Sequence, residues 1–157
     1  MNKQDIIDLI ITQLKADIQI TQQAVLLARD TATHKDCLGS SKYETMGTEA
    51  SYLAKGQGER LLELQRALTY FKEVNIEPKD SIQPISFIRL QDEQGKAQLY
   101  LLASDAGGLK LSHCKQNITV ITHQSPLGKA LMGKQAGDNV ELKITNKTVC
   151  YEIISVV

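Results

Sequence analysis

The chain has no net charge, no long uninterrupted apolar run and too few cysteines for a disulfide framework. Eighteen Lys and Arg residues balance eighteen Asp and Glu over 157 residues, so no global field draws the protein to nucleic acid or anionic lipid, although a local patch still can. Asp5 and Asp8 interrupt the apolar stretch of MNKQDIIDLIITQLK. That excludes a signal peptide or a membrane span, because neither tolerates carboxylates through its apolar core. A soluble, cytoplasmic protein with no membrane partner is expected. Cys37, Cys114 and Cys150 are odd in number and widely separated, which argues against disulfides. His34 and Cys37 have a metal-like spacing and His113 adjoins Cys114, but no second close pair completes a zinc set. The sequons at Asn117 and Asn146 read as chance matches in a chain with no secretory signal.

What the chain does have is two halves with different periods. Ile7, Ile11, Leu14, Ile18, Thr21, Val25 and Ala28 recur at alternating steps of four and three, a heptad seam on a helix. TATHKDCLGSSK, residues 31–42, breaks the pattern with turn-forming residues. A second seam follows through Ala50, Ala54, Gln57, Leu61, Leu64, Leu68 and Phe71, weakened locally by Gly56 and Gly58. Two long helices joined by a short polar turn pack most simply as an antiparallel hairpin in which each covers the other's stripe. Ala28, Ala50 and Ala54 would let the helices approach closely near the turn. Thirty residues of helix make a probe about 45 Å long at 1.5 Å per residue, a shape poorly suited to enclosing an active site.

Beyond Val74 the period becomes strand-like. NIEPKDSIQP, with Pro78 and Pro84, reads as a linker. ISFIRLQD, AQLYLLAS, NITVITH, NVELKIT and TVCYEIISVV are strand candidates, giving an antiparallel sheet of about five strands with one short helix. The fold class is therefore α+β. Residues 1–75 form a hairpin with its tip at about 31–46, residues 76–84 a linker, and residues 85–157 a sheet domain.

The short helix lies in SPLGKALMGKQ, which is one residue away from a phosphate-binding loop. Gly128, Gly133 and Lys134 complete G-x-x-x-x-G-K, but Gln135 stands where Ser or Thr would meet magnesium. Lys129, Ala130, Leu131 and Met132 are all good helix formers. Ser125 is a good N-cap, Pro126 suits the first helical position and Gly133 suits the stop. A capped helix with Leu127, Leu131 and Ala130 toward the sheet is expected in place of a nucleotide site. His34, His113 and His123 are scattered outside any nucleophile motif, which gives a free-standing hydrolase little support.

SPLGKALMGKQAGD followed by the closing strands through VCYEIISVV resembles the C-terminal domain of Gre-type transcription elongation factors. The resemblance is strongest from Ile118 to Val157, and the hairpin, linker and length extend it over essentially the whole chain. It implies an N-terminal antiparallel coiled coil and a C-terminal FKBP-like domain without isomerase activity. It also implies docking at the secondary channel of bacterial RNA polymerase, with nucleic acid met only indirectly, through the elongation complex. The face at Ser125, Pro126, Leu127, Gly128, Leu131 and Lys134 would then hold the channel rim while the coiled-coil tip enters the pore as a monomer. The protein would have no catalysis of its own and no stably bound cofactor. Acidic residues at the tip would instead help hold a Mg2+ ion shared with the polymerase, so that the polymerase cuts backtracked RNA.

The tip departs from the family. Cleavage-active relatives carry a compact acidic run resembling D-x-x-E-N-A-E-Y, whereas this chain has KYETMGTEASYLAKGQ. Aligning Tyr52, Ala54 and Gln57 with the residues after that run puts its acidic positions on or near Thr45, Thr48 and Ser51. Asp36, Glu44 and Glu49 are the nearby carboxylates and the candidates for metal contact. Glu44 and Glu49 would equally serve as solvated charges complementing a helix N-terminus. Between Arg29 and Arg60, five acidic residues meet five basic ones, so the tip offers a metal no strong field. Stimulated cleavage, pore blocking without cleavage, and a protein-binding module with a different partner all remain open.

Overall fold

The computed structural model describes residues 3–33, 41–76, 81–144 and 147–157; the side chains of residues 41–44, 144 and 147 lie outside the description. The chain divides into two compact units, one of Ile10–Lys72 and one joining the start of the first helix, through Leu9, to Glu73–Val157.

The first unit holds most of helix α1 (Lys3–Thr33) and helix α2 (Ser41–Glu73), which lie beside one another there, since Gln22, Val25, Leu26 and Arg29 line one groove with Gly58, Leu61 and Leu62. Only seven residues separate the two helices in sequence, so side-by-side helices of this length must run antiparallel. The heptad seams account for the packing. Leu14, Thr21, Val25 and Ala28 are buried, with Ile11 and Ile18 half-buried between them. On α2, Ala50, Ala54, Gln57, Leu61 and Leu68 are half-buried while Leu64 and Phe71 are buried. Thr21 keeps a polar group in the seam by donating its hydroxyl to the Asp17 carbonyl at 2.8 Å, a local bond that satisfies the oxygen. Burial on α2 is deepest at Leu64, Ala67 and Phe71, and the half nearer the turn is wetter.

The second unit holds β1 (Ser86–Asp92), β2 (Ala97–Ala103), β3 (Lys110–His113), β4 (Gln116–Thr122), helix α3 (Pro126–Leu131), β5 (Asn139–Ile144) and β6 (Lys147–Val156). Six strands form one sheet in the order β3-β4-β2-β1-β6-β5. The sheet differs in two respects from the expected five antiparallel strands. β2 and β4 run parallel, with Leu99 beside Ile118 and Leu101 beside Val120. The additional strand, β3, makes this possible by carrying the chain back so that β4 starts at the same end as β2. β3 turns into β4 through Cys114 and Lys115, both at positive φ (50° and 63°). A two-residue turn of that kind usually recruits Asn and Gly, so Cys-Lys gave no turn signal.

The core of this unit packs Ile82, Ile88, Leu90, Leu102, Leu131, Val140 and Ile153 together. Each fully buried aliphatic side chain of this size contributes roughly 2 kcal/mol through removal from water. Ile82 lies within the Pro-containing segment between the hairpin and the sheet, yet it is fully buried. Its N–H donates to the Lys134 carbonyl at 2.8 Å, and its own carbonyl accepts from the Gly133 N–H at 2.9 Å. These bonds tie the entry to the sheet to the exit of α3.

Candidate functional site

The expected cap of α3 is formed. Ser125 has extended backbone, its Oγ accepts from the Gly128 N–H at 3.1 Å, and the same hydroxyl donates to the Thr122 carbonyl at 2.6 Å. The Lys129 N–H donates to the Ser125 carbonyl at 2.9 Å. The backbone donors that a phosphate cradle would aim at an anion are thus spent inside the capped turn. Gly128 is buried, and a Cβ there would stand 2.0 Å from the Thr122 carbonyl oxygen. This glycine lets α3 sit directly on the end of β4. Gly133, at φ 77°, ends the helix, and Gln135 to Asp138 close a turn through the Gln135 N–H and the Asp138 carboxylate at 2.9 Å.

The face proposed from sequence for docking therefore divides in two. Gly128 and Leu131 are buried and hold the helix against the sheet, and Leu127 packs partly against the same core. Pro126 is exposed, Ser125 and Lys134 are half-exposed, and the Lys134 Nζ donates to the Asn139 carbonyl at 3.1 Å. Lys129 and Met132, which sequence reasoning did not select, are exposed beside them. The position of Lys129 on the outward side of α3, with Met132 at its C-cap, was the available signal.

At the hairpin tip, Asp36, His34 and Cys37 lie outside the described residues, as does the side chain of Glu44, whose backbone belongs to α2. Glu49 is exposed on α2. Thr45 and Thr48 are exposed as well, and the Ser51 hydroxyl donates back to the Gly47 carbonyl at 2.9 Å. Among the described residues no three His, Cys, Asp or Glu side chains converge to hold a metal ion. His113 and Cys114 fall at the β3–β4 turn, and no described His, Cys, Asp or Glu joins them as a third ligand. No described helix is long and apolar enough to cross a membrane.

Residues 77–157 match the family model for the C-terminal domain of transcription elongation factors GreA and GreB. The transcription elongation factor GreA of Thermodesulfovibrio yellowstonii is 30% identical over 147 residues, covering 88% of this chain and 84% of that protein. GreA of Clostridium botulinum is 26% identical over 124 residues, covering 77% of this chain and 71% of its own. Among solved structures, Gfh1 of Thermus aquaticus is 20% identical with a TM-score of 0.40, covering 95% of this chain and 92% of that one. The chain belongs to the GreA/GreB family of transcription elongation factors.

Proposed function

We propose that the protein regulates transcript elongation by binding bacterial RNA polymerase at its secondary channel, with the hairpin tip directed toward the active centre. The observation that carries this reading is the family match over residues 77–157, joined in one chain to two helices of 31 and 33 residues. In this reading the partly exposed face around Ser125, Pro126 and Lys134 meets the channel rim, while Gly128, Leu127 and Leu131 keep that face rigid. The test is capture of purified core polymerase by the full chain, and competition with a known secondary-channel factor. Failure in both assays overturns the reading.

The tip favours occupation of the pore without stimulated cleavage. With Tyr52, Ala54 and Gln57 aligned as above, the acidic positions of cleavage-active relatives fall on or near Thr45, Thr48 and Ser51, and Ser51 spends its hydroxyl on its own helix. Hydroxyls are weaker ligands for a hard divalent cation than carboxylates. A stalled, backtracked complex incubated with wild type and with Asp36→Ala, Glu44→Ala and Glu49→Ala tests this. Equal RNA shortening with and without the protein supports occupation alone. Faster shortening that one of the substitutions abolishes overturns it and assigns that carboxylate to the metal.

A further inference from the structure

The sheet also carries a cleft remote in sequence from both the tip and α3. The hairpins β1–β2 and β3–β4 are neighbours through the parallel strands β2 and β4, so both turns fall at the same end of the sheet. Pairing between β2 and β4 begins only at Leu99 and Ile118. Ahead of it, Ala97 and Gln98 pair with β1, and Gln116 and Asn117 pair with β3. The two hairpins therefore part toward their tips and leave a cleft of about 590 Å³ between them.

Its lining is chemically one-sided. Arg89, Lys96, Lys110 and Lys115 all border it, together with the neutral donors Gln98 and Asn117. Eight cations lie between Ile85 and Val157, and half of them meet here. None of the six carboxylates of that segment, Asp92, Glu93, Asp105, Asp138, Glu141 and Glu152, lines the cleft. Among the described residues no salt bridge engages any of the four cations.

The backbone is also committed to this arrangement. Lys115 occupies the left-handed region beside Cys114, a conformation that is unfavourable for both residue types and that sets the lysine at the cleft's edge. Lys96 is set at the opposite edge by Asp92, whose Oδ1 accepts from the Gln94 and Lys96 N–H groups at 3.0 and 2.9 Å. Tyr100 donates its hydroxyl to the Gln98 Oε1, which leaves the Gln98 Nε2 hydrogens as that side chain's donors.

We propose that this cleft binds the phosphate backbone of a nucleic acid, without reading its sequence. Converging cations and amide donors suit phosphate oxygens, which position a chain but carry no base information. No aromatic side chain lines the cleft for base stacking, and Leu99 and Ala97 are its apolar members. A protein partner would ordinarily require an aromatic or aliphatic anchor pocket at such a site. The inference rests on the cleft alone and requires no polymerase, so its failure leaves the channel-binding reading standing.

The test is fluorescence anisotropy of the full chain with labelled RNA and DNA single strands of about twenty nucleotides and mixed sequence, titrated between about 50 and 200 mM salt. Saturable binding is expected, with similar affinity across sequences. The logarithm of affinity should fall with that of salt at a slope of about −0.7 per phosphate neutralised, or about −3 when all four cations engage. Replacing Lys96, Lys110 and Lys115 together by Ala should weaken binding at least about tenfold at low salt with unchanged circular dichroism. Replacing Lys15, Lys55 and Lys72 on the helices removes the same charge and should leave affinity within about twofold. No saturable binding at low salt overturns the proposal, as does equal weakening by the helix substitutions. Displacement by polyglutamate as effective as that by unlabelled RNA of equal charge also overturns it, in favour of an acidic protein partner.

Discussion

Gly128 and Thr122 approach so closely that a Cβ on the glycine would stand 2.0 Å from the threonine carbonyl oxygen. The obstructing atom is backbone, and Ser125 fixes that carbonyl further by donating to it. Gly128→Ala must therefore push α3 off the end of β4 and loosen Leu131 from the core. A loss of about 3 kcal/mol is expected, measured as a lowered denaturant midpoint at unchanged slope. Ser125→Ala removes one cap bond and should cost about 1 kcal/mol. If the two substitutions cost the same, the close approach is not what fixes the glycine.

On the hairpin the glycines behave in the opposite way. A Cβ at Gly56 or Gly58 meets nothing within 4 Å, so neither glycine is required by packing. Gly56→Ala and Gly58→Ala should each raise helix stability by about 1 kcal/mol. The check is thermal unfolding of the full chain followed at 222 nm. A decrease for Gly58→Ala would mean that the groove shared with Val25 and Leu61 closes in solution.

These contrasts show what the one-dimensional pattern could and could not convey. The two helices were legible because Leu14, Thr21, Val25 and their counterparts Leu64 and Phe71 repeat with a period that packing directly requires. Helix α3 was legible because Ser125 and Gly133 are local signals for local geometry. β3 was hidden because it is four residues long and closed by Cys114 and Lys115 in a conformation usually reserved for Asn and Gly. Ile82 was hidden between prolines, since its bonds go to residues some fifty positions away, Gly133 and Lys134. The basic cleft was illegible for a related reason. Arg89, Lys96, Lys110 and Lys115 have no common period, and the parallel register of β2 and β4 alone brings their hairpins together. At the hairpin tip the sequence remains the guide, since Asp36 lies outside the described residues.

Tyr100 gives the sheet unit an alkaline limit. Burial raises its hydroxyl above the ordinary value of 10.0, with neighbouring Tyr151 adding to the rise. The folded chain thus holds this proton after the unfolded chain has begun to release it. Stability from Tyr100 is complete below about pH 10 and is lost as pH rises through the higher folded value. Tyr100→Phe should flatten the fall in denaturant midpoint above that pH. A wild-type chain whose tyrosines all ionise together near pH 10 in an absorbance titration at 295 nm contradicts this.

Lys115 separates a structural cost from a binding gain. Its φ of 63° costs a non-glycine residue roughly 1 kcal/mol. Lys115→Gly should therefore stabilise the β3–β4 hairpin by about 0.5 kcal/mol, once the greater freedom of glycine in the unfolded chain is counted. The same change removes one of four cations from the cleft and should reduce the salt slope of nucleic-acid binding by about 0.7. A lysine with no part in binding would show the stability gain on becoming glycine but no change in salt slope. Both changes in one variant, the denaturant midpoint rising as affinity falls, would identify the strained turn as a device for placing that charge.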